Sequence, residues 1–177
     1  MSKLHQINLQ YEPREDRILL RTNTRDGAEF RFWMTRRFVT VLWPVLVRLV
    51  ESHEHVQRQP RPESRNAVVE LQRESALRSA DFKTRYQPAP QGAPVSLPLG
   101  EEPVVLATVR VKRHPDGRPV LCLHPAKGQG IELALNHGLL HSFCKLVSDT
   151  SQHAGWSLDL ELTRGGAVSG PVASSVN

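Results

Sequence analysis

Cysteine is scarce in this chain. Cys122 and Cys144 are its only two thiols, too few for a disulfide framework. Long apolar runs are missing as well. The richest stretch, residues 38–50, is interrupted by Pro44 and Arg48 and falls short of the roughly 20 apolar residues that a membrane helix needs. The opening residues 1–13 contain no apolar core of the kind a signal peptide carries. No glycine-rich phosphate loop is present. Lys127-Gly-Gln-Gly130 is too short and lacks the Lys-Ser/Thr pair that would hold phosphate and metal. Carboxylates do not pair suggestively, and no convergent catalytic set emerges. These absences predict a soluble cytoplasmic protein that is not an enzyme, does not enter a membrane and needs no cofactor.

What the chain does contain is enough apolar material for a core, 39% of 177 residues, beside 23% charged residues. Lysine and arginine number 23 against 18 acidic residues, a formal net charge of +5. Such an excess permits binding to nucleic acid or another acidic surface, although a solvated basic surface explains it equally well.

The strongest organising feature is an apolar pattern that occurs twice. With Gly27 placed on Gly128, a constant offset of 101 residues, the next twenty-odd positions align without a gap. Phe30, Phe32 and Met34 fall on Ile131, Leu133 and Leu135; Phe38, Val39, Leu42, Trp43, Val45 and Leu46 fall on Leu139, Leu140, Phe143, Cys144, Leu146 and Val147. A strand period passes into a helix period in both copies.

Alternation places strands at 5–11, 17–24 and 29–34, with Asp26-Gly27 as a hairpin turn. Thr35 caps a helix whose apolar positions recur every three or four residues. Pro44 lies inside it and predicts a kink or restart near Trp43. Residues 52–103 differ in character: their charges balance, a helix over 63–80 begins just after Pro62, and the Pro-rich stretch 87–103 reads as an extended, mobile linker. The second unit repeats the plan over 104–163. Its strands fall at 104–112, 119–124 and 129–135, followed by a helix capped by Asn136 and a last strand over 156–162. The tail 164–177 has the composition of a disordered segment. The organisation is therefore a first unit over 1–51, a charged helix and linker over 52–103, a second unit over 104–163, and the tail. The fold class is α+β: two related β-β-β-α units, an internal duplication, packed as a pseudo-dimer with antiparallel sheets or around one shared core.

A zinc site is the tempting chemical interpretation. Cys122-x-His124 lies on a strand and His141-x-x-Cys144 on a helix, each pair with same-face spacing. Strand alternation opposes it. Cys122 faces away from Leu121 and Leu123, whereas Cys144 aligns with Trp43 at a packing position, so the two halves fall on opposite sides of the sheet. No metal is expected from this set. A catalytic Cys–His pair meets the same difficulty.

The same alternation turns Arg21, Arg31, Trp33, Arg110 and Lys112 outward. Arginine and lysine attract phosphates, and tryptophan stacks on unpaired bases. This face is equally suited to packing on the other unit, with Trp33 buried and the arginines at its rim.

The run Lys127-Gly-Gln-Gly-Ile-Glu-Leu-Ala-Leu-Asn-His-Gly-Leu-Leu-His-Ser-Phe-Cys-Lys-Leu resembles the last strand and helix of the Whirly and positive-cofactor-four group, and Asp26-Gly-Ala-Glu-Phe-Arg-Phe-Trp-Met-Thr is similar. The chain has one strand fewer per unit and a longer intervening segment than that group. The resemblance implies single-stranded nucleic acid bound on the sheets through Arg21, Arg31, Trp33, Arg110, Lys112 and Lys127. The alternative is a non-enzymatic protein-interaction or assembly module, and either leaves room for a homo-oligomer.

Overall fold

Two blocks of three strands and a helix bracket a pair of further helices. The computed structural model describes residues 4–89 and 94–163. In chain order these form β1 (Leu4–Glu12), β2 (Arg17–Thr24), β3 (Glu29–Met34), α1 (Arg36–Glu51), α2 (Glu54–Gln57), α3 (Pro62–Ser79), β4 (Val104–Arg113), β5 (Pro119–Pro125), β6 (Ile131–Ala134) and α4 (His137–His153). The protein is α+β. The two antiparallel meanders join edge to edge into one six-stranded mixed sheet, ordered β1 to β6. Their junction is a short parallel pair in which Phe32 stands beside Val104 and Trp33 beside Val105. One sheet over a shared core therefore replaces two separately formed antiparallel sheets.

Period-two alternation builds the core side of this sheet. Ile18, Leu20, Phe32, Met34, Leu121, Leu123 and Leu133 are buried on it. The helices supply the second layer. Thr35 accepts a hydrogen bond from the Phe38 amide at 3.1 Å, and Asn136 accepts one from Leu139 at 2.8 Å, each satisfying an amide that the first helical turn leaves unpaired. Phe38, Leu42, Leu46 and Val50 of α1 meet Leu140, Phe143 and Val147 of α4 in one apolar cluster. No described helix is long and apolar enough to cross a membrane.

Several expectations change in the folded chain. α1 runs through Pro44 without a restart. Pro44 and Thr40 are both exposed, so the backbone bond that proline removes lies on the solvent side of the helix. Pro44→Ala restores that bond but loosens the unfolded chain. A net gain of about 1 kcal/mol is expected, read as a higher urea midpoint at unchanged slope.

In β4 the register shifts between Leu106 and Thr108. This bulge interrupts strict alternation: Leu106 turns into the core while Val105 and Ala107 are exposed. The strand expected over 156–162 does not form. Its apolar side chains are nevertheless used for packing rather than a ladder. Trp156 and Leu162 are buried, and the Trp43 indole donates to the Glu161 carbonyl at 3.2 Å. The Trp156 indole donates to Asp16 at 2.8 Å and Tyr11 donates to the same oxygen at 2.9 Å, which ties this segment to the β1–β2 turn.

The segment expected to be a mobile linker is anchored where it is described. The Glu29 amide donates to the Ser96 carbonyl at 2.8 Å, and the Ser96 amide donates to the Gly27 carbonyl at 3.0 Å. Gly27 occupies a positive φ of 84°, a conformation that costs glycine no Cβ clash. Residues 90–93 and the tail 164–177, to which linker mobility and disorder were also assigned, lie outside the described residues.

Candidate functional site

The helices cover one face of the sheet, and its other face carries most of the candidate residues. Cross-strand register sets them in rows. Arg21 pairs with Asn8 on one side and with Arg31 on the other; Leu19 lies between Gln10 and Trp33. Farther along the sheet Arg110, Cys122 and Glu132 form one row, and Lys112, Val120 and Ala134 form the next.

The first-half arginines are engaged within the chain. Arg21 donates to Asn8 Oδ1 at 2.8 and 3.2 Å, and its guanidinium lies 4.7 Å from the centre of the Tyr86 ring. Arg31 contacts Glu29 at 2.8 Å, and the Glu29 side chain is 0% exposed. The Tyr86 hydroxyl donates to the other Glu29 oxygen at 3.2 Å, and burial next to this carboxylate pushes the tyrosine's own ionisation upward. Gln87 extends the cover: its amide donates to Gln6 at 3.1 Å and its carbonyl accepts from Asn23. The chain downstream of α3 thus lies on the sheet over β1, β2 and β3.

The remaining candidates are placed differently. Trp33 is half-buried, and Arg110 is exposed with no ion pair among the described residues. Lys112 is bound to Glu132 at 2.6 Å, which raises its affinity for its proton. Lys127 is exposed in the β5–β6 turn. That turn and Trp33 lie at the same end of β4, because Pro125 pairs with Leu106 while Val105 pairs with Trp33. The open face over β3 and β4 therefore offers one aromatic plane, one unpaired guanidinium and an ammonium with a carboxylate partner. Arg21 and Arg31 belong to a covered internal network.

The thiols divide as alternation predicts. Cys144 is 0% exposed in the core, and burial raises its pKa to about 12. Cys122 lies on the open side, opposite Glu132, and its thiol is also shifted upward by burial and by that carboxylate. Cys122, His124 and Glu132 bring one ligand-type atom each to within 4.8 Å of one another. Strand spacing reveals the Cys122–His124 pair, but Glu132 becomes its neighbour only through the register across the turn 126–130.

A second cluster lies among the helices. The His53 ring is 4.2 Å from that of His137 and 5.3 Å from that of His55, and His137 is 4.6 Å from His141. His53 meets Gln72 at 3.1 Å. His137 Nε2 and both ring nitrogens of His141 are buried without a hydrogen-bond partner. Burial, reinforced by the neighbouring rings and by Arg73, lowers the pKa of His141 to about 4; His53 and His137 shift the same way through burial and neighbouring histidines. His53, His55 and His137 also line an open cleft of about 560 Å³ that reaches Arg113, Asp116 and Arg118. The four-residue spacing of His137 and His141 is visible on the helix in the sequence. Their union with His53 and His55 depends on how α2 packs.

Compared with protein-family models, curated proteins and solved structures, the chain matches none.

Proposed function

We propose that this protein is a non-enzymatic binder of single-stranded nucleic acid, with Trp33 stacking on a base and Arg110 and Lys127 following the phosphates, while Lys112 is held by Glu132. The observation that carries this proposal is a partly exposed Trp33 on the helix-free face of a sheet that also presents Arg110, exposed and with no ion pair among the described residues. Base stacking needs an exposed π-face, and backbone tracking needs cations whose charge is not already neutralised. Arg21 and Arg31 take structural roles in this scheme: Arg31 answers the buried Glu29 carboxylate, and the Arg21 guanidinium is held against the Tyr86 ring and Asn8. The resemblance to the Whirly group supports the same ligand class.

We further infer that the two β-β-β-α blocks arose by duplication, as a pseudo-dimer whose copies stand head to tail in one sheet. The gapless pairing of Phe32 with Leu133, Met34 with Leu135 and Leu42 with Phe143, all buried, supports this history. Both cysteines are unbonded, which suits a cytoplasmic setting.

Fluorescence offers a direct test. Trp43 and Trp156 are buried, at 5% and 3% exposure, so quenching by a short single-stranded oligonucleotide should report chiefly on Trp33. Trp33→Ala is expected to abolish the quenching and weaken binding by about 1–3 kcal/mol. Two phosphate contacts predict a log–log salt slope of about −1.4, and Arg110→Ala should make it shallower by about 0.7. Absence of binding at low salt would sink the proposal.

The second interpretation, a protein-interaction or assembly module, rests on sheet topology. β1 and β6 are the outer strands and present backbone groups to which another chain can add a strand. Binding to a protein partner that is insensitive to salt, with Trp33→Ala unaffected, would favour it.

A further inference from the structure

We propose that Cys122, His124 and Glu132 form a zinc-type metal site on the open face of the sheet, with a fourth coordination position left to water or an incoming ligand.

The donor set suits a divalent ion of intermediate softness: one thiolate, one imidazole and one carboxylate. Cys122 and His124 occupy alternate positions of β5 and so project from the same face. Glu132 stands directly across the ladder from Cys122. The cysteine sulfur is already 4.0 Å from a Glu132 oxygen, and all three donor atoms fall within 4.8 Å of one another. Donors around a tetrahedral zinc lie about 3.3–3.6 Å apart, given bond lengths near 2.0–2.3 Å. Side-chain movements of about 1 Å would close the set around an ion.

Gly130 makes room for this arrangement. It precedes β6, at the next place along the ladder after the Leu123–Ile131 pair. A Cβ on Gly130 would stand 2.0 Å from the Leu123 carbonyl oxygen and 2.7 Å from both Cα and Nδ1 of His124. Only glycine lets the backbones approach this closely while the imidazole occupies the space above, on the side of Glu132.

This set differs from the four-ligand combination that the sequence suggests. Cys144 and His141 are both 0% exposed and lie in the helix layer, across the sheet from Cys122. Three ligands rather than four are assembled, and the third comes from β6. The proposal does not depend on nucleic-acid binding.

Lys112 is the competitor. Its ammonium lies 2.6–2.7 Å from both Glu132 oxygens, so an incoming cation must displace it from at least one of them. Removing this positive charge should tighten metal binding. Lys112→Met is therefore expected to lower the metal dissociation constant several-fold.

Cobalt(II) provides the readout, because sulfur ligation gives an intense charge-transfer band in the near ultraviolet and a tetrahedral site gives strong visible bands. Titration of the full chain should show both, with one cobalt per chain, reversed by zinc. Cys122→Ser should abolish the sulfur band, and Glu132→Gln should weaken binding at least tenfold, both in variants whose circular dichroism matches the parent protein. Cys144→Ser should leave the band in place. Failure of the parent protein to take up either metal at micromolar concentration, or a sulfur band that survives Cys122→Ser, would overturn the proposal.

Discussion

Arg31→Ala is expected to destabilise the protein by about 3 kcal/mol, because it leaves a buried carboxylate without its counter-charge. The Glu29 side chain is fully buried, and a carboxylate is costly to remove from water. Arg31 answers it with two donors, Nε at 3.1 Å and Nη2 at 2.8 Å. Tyr86 supplies one further hydrogen bond, too little to replace an ion pair. The complementary change has a different cost. Glu29→Gln frees Arg31, whose side chain is already 30% exposed, to reach water. The double variant Glu29→Gln/Arg31→Ala should therefore recover much of what Arg31→Ala loses. Urea denaturation of the parent and the three variants completes a double-mutant cycle. A coupling energy near zero would show that Arg31 is an ordinary surface arginine, available to phosphates after all.

Acidification should be the second large effect. His141 is fully buried, neither ring nitrogen is hydrogen-bonded, and its pKa is pushed down to about 4. A histidine with a depressed folded pKa takes up its proton more readily when unfolded. Its neutral form contributes full stability above the ordinary value of about 6.5, and that contribution is lost as pH falls from there towards 4. His53 and His137 add in the same direction, and Glu54 opposes the shift at His53. The loss assigned to His141 is about 3 kcal/mol between pH 7 and pH 4. Carboxylates titrate near the end of this range, so the informative quantity is the difference between the parent protein and His141→Leu. This variant loses no hydrogen bond and has no proton to gain. It is expected to be at least as stable at pH 7 and to lose less stability towards pH 4, as followed by thermal melts across pH. Parallel acid profiles would remove His141 as the cause.

The strand faces were largely legible without a structure, and so was the identity of the outward row. Thr35 and Asn136 announce the helix starts because a short oxygen-bearing side chain can reach an unpaired amide. Pro62 marks the start of α3 because its missing N–H costs nothing there. Cys122 and Cys144 separate onto two layers because side chains alternate strictly along a strand. These are local rules, set by neighbours three or four residues away.

The expectations that failed mostly depend on a distant partner. The apolar rhythm of 156–162 is that of a strand, but no sheet edge pairs with it, and Trp156 and Leu162 are spent on packing instead. Arg21 and Arg31 look available until Tyr86 lies over them, and no short-range pattern links residue 86 to residues 21 and 29. The bulge at Ala107 moves Leu106 inward for a reason that belongs to its pairing with β5. By itself, the sequence determined most of the secondary elements and which residues of β2, β3 and β5 point outward, since backbone sterics and side-chain periodicity act locally. Only the tertiary structure decided that two meanders share one sheet, which cations remain unpaired, and that Glu132 meets Cys122 and His124. Those outcomes follow from strand register and burial, which form between residues far apart in the chain.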